Sequence, residues 1–418
     1  MYLYFFVSRE SPKSLLNTFT NQIKEYFDEE YIGFETFEEM IKYLVNKSKS
    51  QKITLIFDEF QNFKYVDESF FSILQKYVDI ADRETIPIKI IVTGSYINMI
   101  KNIFDNSASP LYGRKTGELM ITPLTYKYVK EILNDMGIAD LKEIIKIYGV
   151  FGGIPRYYKL SSNIKYRNLN ELLSKLIFTE ISPIQSEVAE VFFEDILSIK
   201  KEYLSIIKAI ALGNNTNKQI SEFTGIEQTS LPHLLDELIN HYEIIERNVP
   251  ITANELKSKK GIYELKDYLL KFWFFFVEKN KAQYETRNYN YIIEKIKVEI
   301  NDFIGKNSFE RLAREYCQKK YLNYKVGSWW AGTEEIDVLG INENGGYIIG
   351  ECKFTNKKVG FELYNLLIEK IQLLKPKKVE KIILFSKSGF QDNLIKKAEE
   401  LNIELVNLEK LSDELSKC

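Results

Sequence analysis

Residues 53–61 read ITLIFDEFQ, a run of five apolar or β-branched positions (Ile53, Thr54, Leu55, Ile56, Phe57) without alternation, closed by the acid pair Asp58–Glu59. A continuous apolar run of this length fits a strand buried on both faces in the middle of a parallel sheet. Residues 2–7 (YLYFFV) make a second run of the same kind, and residues 88–92 (IKIIV) a third, ending in Thr93-Gly94-Ser95. Between them the apolar positions recur at helical spacing over 11–27, 40–44 and 70–79, and Ser11-Pro12 suits an N-cap followed by a first-turn proline. Strand and helix in alternation predict a parallel α/β sheet. The acid pair then falls at the carboxyl end of a strand, where open α/β sheets bind their ligands.

The pattern changes after residue 122. From 126 to about 196 it is helical, broken by Gly152-Gly153-Ile154-Pro155. Helical segments over 203–212, 218–224 and 229–240, with a turn at Gly225 and a β-like stretch over 242–251, have the spacing of a helix-turn-helix with an appended wing. The third helix (TSLPHLLDELINHY) carries Asp236 and Glu237 and no Lys or Arg, whereas a DNA-reading helix presents Arg, Lys, Asn or Gln to base edges. A structural or protein-contact role therefore stands beside DNA reading. The lysines of 256–260 (LKSKK) suit a phosphate contact near the wing or a solvated charge run. Residues 268–277 (YLLKFWFFFV) predict a core helix, and the polar stretch 278–290 a boundary. Beyond it come a helix from Ser308 (SFERLAREYC), a short strand led by Asp337, an NENGG turn, a strand over 348–354, a strand over 381–386 and a helix over 391–401.

Composition narrows the classes. A chain of 418 residues with 45% hydrophobic and 28% charged content has material for two to four domains. The net charge of -2 means that any nucleic-acid contact relies on a local patch. The three cysteines (Cys317, Cys352, Cys418) are far apart and make no disulfide framework, which suggests a reducing compartment. With only His233 and His241, histidine triads and His-rich zinc sites are disfavoured. No signal peptide is visible and no apolar run approaches the ~20 residues of a membrane span, so the expected location is cytoplasmic, without a membrane partner.

In a P-loop NTPase, the first acid after such a strand holds Mg2+ and a following Glu orients the attacking water. A small polar residue ending the adjacent strand suits a sensor of the γ-phosphate or of that water. The order FDEFQ, VTGS, SPLYGR (109–114), a Pro-Leu pair (123–124) opening a helical region, and FGGIPRYY (151–158) resembles the archaeal ATPase family, P-loop NTPases related to the AAA and STAND groups. The resemblance implies Asp58 and Glu59 as the Mg2+ and water acids, Ser95 as sensor and Arg114 as arginine finger, with Gly153, Pro155 and Arg156 in a helical lid. ATP and Mg2+ are the implied cofactors. A planar, always-charged guanidinium suits transition-state phosphate charge. The GxxxxGK[ST] loop of that family has no counterpart among these residues. Either the start is truncated or misassigned, or nucleotide hydrolysis has been lost.

The carboxyl-terminal pattern holds a second constellation. Alternation puts Glu351 and Lys353 on one face of a strand, and Asp337 leads the preceding one. Two carboxylates from adjacent strands suit a divalent cation beside a lysine that orients or activates water. Glu310 could complete the site from the preceding helix. This arrangement resembles the PD-(D/E)xK nuclease superfamily over roughly 303–408; the alternatives are an inactive version of that fold or a plain ion pair. The expected class is α/β, with 1–122 as a P-loop NTPase-like core lacking the P-loop, 123–196 as the lid and 197–278 as a winged helix-turn-helix. Residues 279–300 would be a linker or helix, and 301–418 the nuclease-like domain. Three functions remain open: an ATP-binding, nucleotide-dependent switch coupled to a winged-helix and nuclease-like domain expected to act on DNA; a Mg2+-dependent nuclease on an inactive NTPase scaffold; and a non-enzymatic DNA-binding regulatory adaptor. Oligomerisation is open as well.

Overall fold

The computed structural model describes residues 2–188, 200–255, 257–258 and 260–417. The last part of the expected lid (189–196), the first residues of the expected winged helix (197–199), Leu256 and Lys259 of the lysine run, and Cys418 lie outside the described residues. The chain forms two compact units, Met1–Ile121 with Asn240–Glu243, and Thr122–Ile239 with Ile244–Cys418.

The first unit is a three-stranded parallel sheet, β1 (Tyr2–Phe6), β2 (Ile53–Asp58) and β3 (Ile88–Val92), in the order β1-β2-β3. Its helices are α1 (Pro12–Phe27), α2 (Phe37–Ser48), the short α3 (Phe63–Val66), α4 (Ser69–Arg83) and α5 (Ile97–Asp105). Ser11 caps α1 by accepting from the Ser14 N–H, with Pro12 in the first turn. Thr36 caps α2 in the same way through Glu39. Helical residues Phe19, Met40, Leu44, Phe70 and Leu74 pack on Leu3, Phe5, Leu55 and Phe57 of the strands.

The expectation that β1 and β2 are buried on both faces is corrected here. In β2, Ile53, Leu55 and Phe57 are buried while Thr54, Ile56 and Asp58 are half-buried. In β1, Tyr2, Tyr4 and Phe6 stand 64%, 44% and 50% exposed. Apolar side chains occupy both faces, but the helices of the unit cover one.

The second unit begins with α6 (Tyr126–Asp135), α7 (Leu141–Phe151), α8 (Pro155–Ser161), α9 (Leu169–Leu176) and α10 (Pro183–Val188). The Pro-Leu pair and the Gly-Gly-Ile-Pro break, separate in sequence, meet here: the Leu124 N–H donates to the Gly153 carbonyl at 2.8 Å. Next come α11 (Lys201–Ala211), α12 (Asn217–Thr224) and α13 (Leu231–Asp236), then an antiparallel hairpin of β4 (Ile245–Asn248) and β5 (Ile262–Leu265). Gly225 ends α12 at φ +73°, and Thr216 and Gln219 close its start as a reciprocal capping box. The aromatic stretch continues α14 (Tyr268–Phe272) in a widened turn through Val277, with Phe272, Phe274 and Phe276 buried.

After α15 (Lys281–Glu285), α16 (Tyr289–Ile304) and α17 (Glu310–Lys320) comes a five-stranded sheet. Its strands are β6 (Tyr324–Ala331), β7 (Glu334–Asn342), β8 (Gly346–Lys353), β9 (Lys378–Ser386) and β10 (Ile403–Val406), in the order β10-β9-β8-β7-β6. The first three form an antiparallel meander and the last three run parallel. The connections of the parallel part carry α18 (Phe361–Leu374) and α19 (Asp392–Lys397), and α20 (Leu408–Leu415) closes the chain. Gly345 makes the NENGG turn at φ +75°. One core packs Leu363 and Leu367 of α18 and Leu394 of α19 against Leu339, Ile349 and Leu384 of the strands. Buried Glu404 of β10 accepts from Tyr316 (2.6 Å), Tyr321, Lys320 and Lys410, tying α17 to the edge strand. Burial works to raise its pKa, yet the hydrogen bonds of Lys320, Lys410, Tyr316 and Tyr321 outweigh it and hold the carboxyl down to about 2.

Candidate functional sites

The acid pair of the first unit sits at the carboxyl end of the middle strand. Asp58 is held from three sides: the Tyr4 hydroxyl donates to Oδ2 at 2.5 Å, and the Thr93 hydroxyl and the Glu59 N–H (3.0 Å) donate to Oδ1. Partial burial works to raise its pKa, but the bonds from Thr93, Tyr4 and the Glu59 amide prevail, and the carboxyl lies below the ordinary aspartate range. Asp58 is therefore a fixed anion at neutral pH.

Glu59 has left-handed backbone, φ 54° and ψ 39°. For a non-glycine residue that conformation is strained, and such strain gathers at functional sites. Ser95 donates to Glu59 Oε1 and Gln61 to Oε2 at 2.5 Å. Gln61 is fully buried and its Oε1 has no hydrogen-bond partner. A Cβ at position 94 would come 2.1 Å from that oxygen, so the Gly94 of TGS is where Gln61 needs room. Asp58, Glu59 and Ser95 are thus brought together. Arg114 is occupied elsewhere, with a two-pronged pair to Asp79 of α4 (2.8 and 2.9 Å) and bonds to the carbonyls of Pro110 and Tyr112.

Sequence reading missed three members of this centre. Gln61 and Thr93 stand inside the stretches already singled out and could have been found there. Tyr4 gives no local signal, because only the β1–β2 register, with Tyr4 opposite Ile56 and Phe6 opposite Asp58, brings it within reach.

In the second unit, Asp337 on β7 and Glu351 on β8 are buried, 5% and 2% exposed. Asp337 Oδ2 accepts from the Cys352 N–H at 2.8 Å, and Arg314 of α17 donates to the Asp337 carbonyl at 2.9 Å. Burial first, then the nearby charge of Glu351, raise the Asp337 pKa to about 7. Burial and the Asp337 charge likewise hold Glu310, at the start of α17, well above the ordinary glutamate range. Lys353 Nζ lies 3.5 Å from Glu351 Oε1, the same-face pair that alternation predicts.

A nearer partner comes from outside the motif. Buried Lys370 of α18 donates to the same Oε1 at 2.7 Å. The other oxygen, Oε2, is buried without a partner. Lys370 could not be found by motif; its only signal is a lysine in register with Leu363 and Leu367 on the buried stripe of an otherwise amphipathic helix. Among the described residues no three His, Cys, Asp or Glu side chains are grouped as a metal-binding set. Two acids, one with a vacant buried oxygen and the other with a raised pKa, nonetheless suit a divalent cation that completes its shell with water.

The acid pair lies at the carboxyl end of the middle strand of a parallel sheet, the edge at which open α/β sheets bind ligands. Residues 4–160 match the family model described as an ATPase domain predominantly from Archaea. Residues 273–382, which include Glu310, Asp337, Glu351, Lys353 and Lys370, match one described as Archaea bacterial proteins of unknown function. An uncharacterised protein of Methanocaldococcus jannaschii is 35% identical over 302 residues, covering 69% of this chain and 64% of the relative. The chain thus matches less than two thirds of that relative's length. The Walker-type ATPase of Pyrococcus abyssi aligns with a TM-score of 0.48 at 16% identity, over 65% of this chain and 83% of that one. The ORC2 protein of Aeropyrum pernix, solved as ADPNP-ADP complexes, aligns with a TM-score of 0.45 at 14% identity, over 71% and 80%. The family matches support an ATPase-type domain in the amino-terminal part of the chain, and no helix among the described residues is long and apolar enough to cross a membrane.

Proposed function

We propose that this chain is an ATPase-family protein that binds a magnesium nucleotide at the Asp58–Glu59 centre and acts as a nucleotide-dependent switch. The observation that carries the reading is the strained Glu59 beside a fixed Asp58 anion, both oriented by side chains from the neighbouring strands and their ends. Asp58 would hold the metal through its water shell, since its oxygens already accept three hydrogen bonds, and the metal would neutralise phosphate charge. Glu59, aimed by Ser95 and Gln61, would orient a water. The 418 residues contain no GxxxxGK[ST] loop, and nucleotide binding without hydrolysis is the activity assigned to this centre. Arg114, paired with Asp79, would have to exchange that partner before serving as an arginine finger. The three helices α11–α13 and the β4–β5 hairpin have the order of a winged helix-turn-helix, which would be the element that the switch governs. Calorimetric titration of Mg-ATP is expected to give a saturable heat that weakens by roughly tenfold or more in Asp58→Ala, the loss of a metal-binding carboxylate. No heat at millimolar nucleotide removes the switch reading for this polypeptide.

A second reading is favoured by the vacant Glu351 Oε2. The carboxyl-terminal sheet resembles a PD-(D/E)xK nuclease in its acid pair and lysine, with Asp337 and Glu351 as cation ligands, Lys353 beside them and Glu310 as an added acid. A bound Mg2+ or Mn2+ would supply Lewis acidity at a phosphodiester. Lys370, by holding Glu351 Oε1, would leave Oε2 for the cation. Mn2+ is expected to raise the unfolding temperature of the chain and to lose that effect in Asp337→Asn, by mass action on the folded state. An equal rise in the variant would place the ion elsewhere.

A further inference from the structure

A groove of about 460 Å³ opens between the loop of the β4–β5 hairpin and the outer strand β6. Pro250, Thr252, Asn254, Lys257, Lys260 and Trp330 are among the residues that line it. The loop is docked, because the Ile251 N–H donates to the Ser328 carbonyl at 2.9 Å and Trp330 Nε1 donates to the Lys260 carbonyl at 3.2 Å. Arg247 of β4 fixes the other end of the loop by donating to the carbonyls of Glu255 (3.1 Å) and Ser258 (2.6 Å). The half-buried Trp330 is tied by the edge of its indole and lines the groove, which leaves its π-system free of any stacked partner ring among the described aromatic pairs. The charged residues that line the groove are lysines, and among the described lining residues none is acidic.

We infer that this groove binds a single strand of nucleic acid, with one base stacked on Trp330 and the adjoining phosphates on Lys257 and Lys260. An aromatic platform beside cations fits a strand whose bases are exposed, since every base has a π-face and stacking needs no sequence. In a duplex those faces are already stacked and the groove would meet phosphate alone. Glu335 stands directly across the strand pair from Trp330 on the same face of the sheet, so its charge would disfavour phosphate immediately beside the indole. The site lies on the hairpin and on β6, and β6 pairs with β7, where Asp337 stands two residues beyond Glu335. The buried Asp337–Glu351 pair lies on the next two strands of the same sheet. Binding does not depend on whether that pair cleaves.

The test is fluorescence anisotropy with the full chain, labelled oligothymidine and oligouridine, and a duplex of the same length, all in EDTA so that metal-dependent cleavage is silent. One of the single strands is expected to bind more tightly than the duplex. Trp330→Ala should weaken that binding roughly tenfold and Trp330→Phe should restore most of it. Lys257→Ala and Lys260→Ala, which leave the indole in place, should each lower the salt slope by about 0.7. Preference for thymidine or uridine tells DNA from RNA. Binding unchanged in Trp330→Ala, a duplex bound as tightly as both strands, or no binding to either strand overturns the site. Loss of Mn2+ binding in Asp337→Asn with strand binding retained would separate this groove from the cation reading.

Discussion

Replacing Lys370 by Met is expected to destabilise the second unit by about 3 kcal/mol, toward the lower end of the cost of breaking a buried ion pair. Glu351 and Lys370 are 2% and 7% exposed and 2.7 Å apart, so the variant strands a carboxylate whose other oxygen already lacks a partner. Lys353, at 3.5 Å and with a side chain 41% exposed, offsets part of the loss, and Lys353→Met alone should cost less than about 1 kcal/mol. The double change Glu351→Leu with Lys370→Met should recover most of the stability, because well-packed apolar pairs commonly replace buried ionic ones without loss. Urea unfolding followed by tryptophan emission reads this unit alone, since Trp273, Trp329 and Trp330 all belong to it. A loss near zero in Lys370→Met would mean that Glu351 is balanced by something other than the lysine, such as a bound cation.

Gly153→Val should be at least as damaging. A Cβ at this position would stand 2.0 Å from the Leu124 carbonyl oxygen and 2.7 Å from the Leu124 nitrogen. Both are backbone atoms that cannot rotate away. The strands of chain at 124 and 153 must separate, which breaks the 2.8 Å Leu124-to-Gly153 hydrogen bond and forces the neighbouring core to repack. Overpacking and the lost bond together suggest a cost of about 3 kcal/mol or more. Gly137→Ala is the comparison within the same unit: at φ +86° with open space around it, it should cost about 1 kcal/mol through backbone strain alone. Equal midpoints for the two variants would show that the Leu124 approach does not constrain position 153.

Much of this architecture was legible in local pattern. The three apolar runs of the first unit, the cap at Ser11, the helices on either side of the Gly225 turn and the NENGG turn are local features, and each forms where periodicity or turn chemistry puts it, whereas the cap at Thr36 and the returning strand β5 were not read. The carboxylates of the two acid clusters were visible for the same reason, though Tyr4, Thr93, Gln61 and Lys370 beside them were not. Asp58–Glu59 closes an apolar run, and Glu351 and Lys353 share the face that a period of two assigns them.

The amino-acid order by itself thus marked many of the strands and helices, and it put Asp58 at the end of one strand and Asp337 and Glu351 within two others. Tertiary structure decided how those carboxylates are held. Strand register brought Tyr4 and Thr93 to Asp58, the return of α18 over the sheet brought Lys370 to Glu351, and α4 took Arg114 through Asp79. It also decided burial: apolar runs on β1 and β2 are compatible with two covered faces, but Tyr2, Tyr4 and Phe6 stay exposed because burial depends on what packs against a face. The physical reason is range. Periodicity and capping act over one or two turns of chain, whereas charge compensation and burial are set by neighbours tens of residues away, whose approach no local pattern encodes.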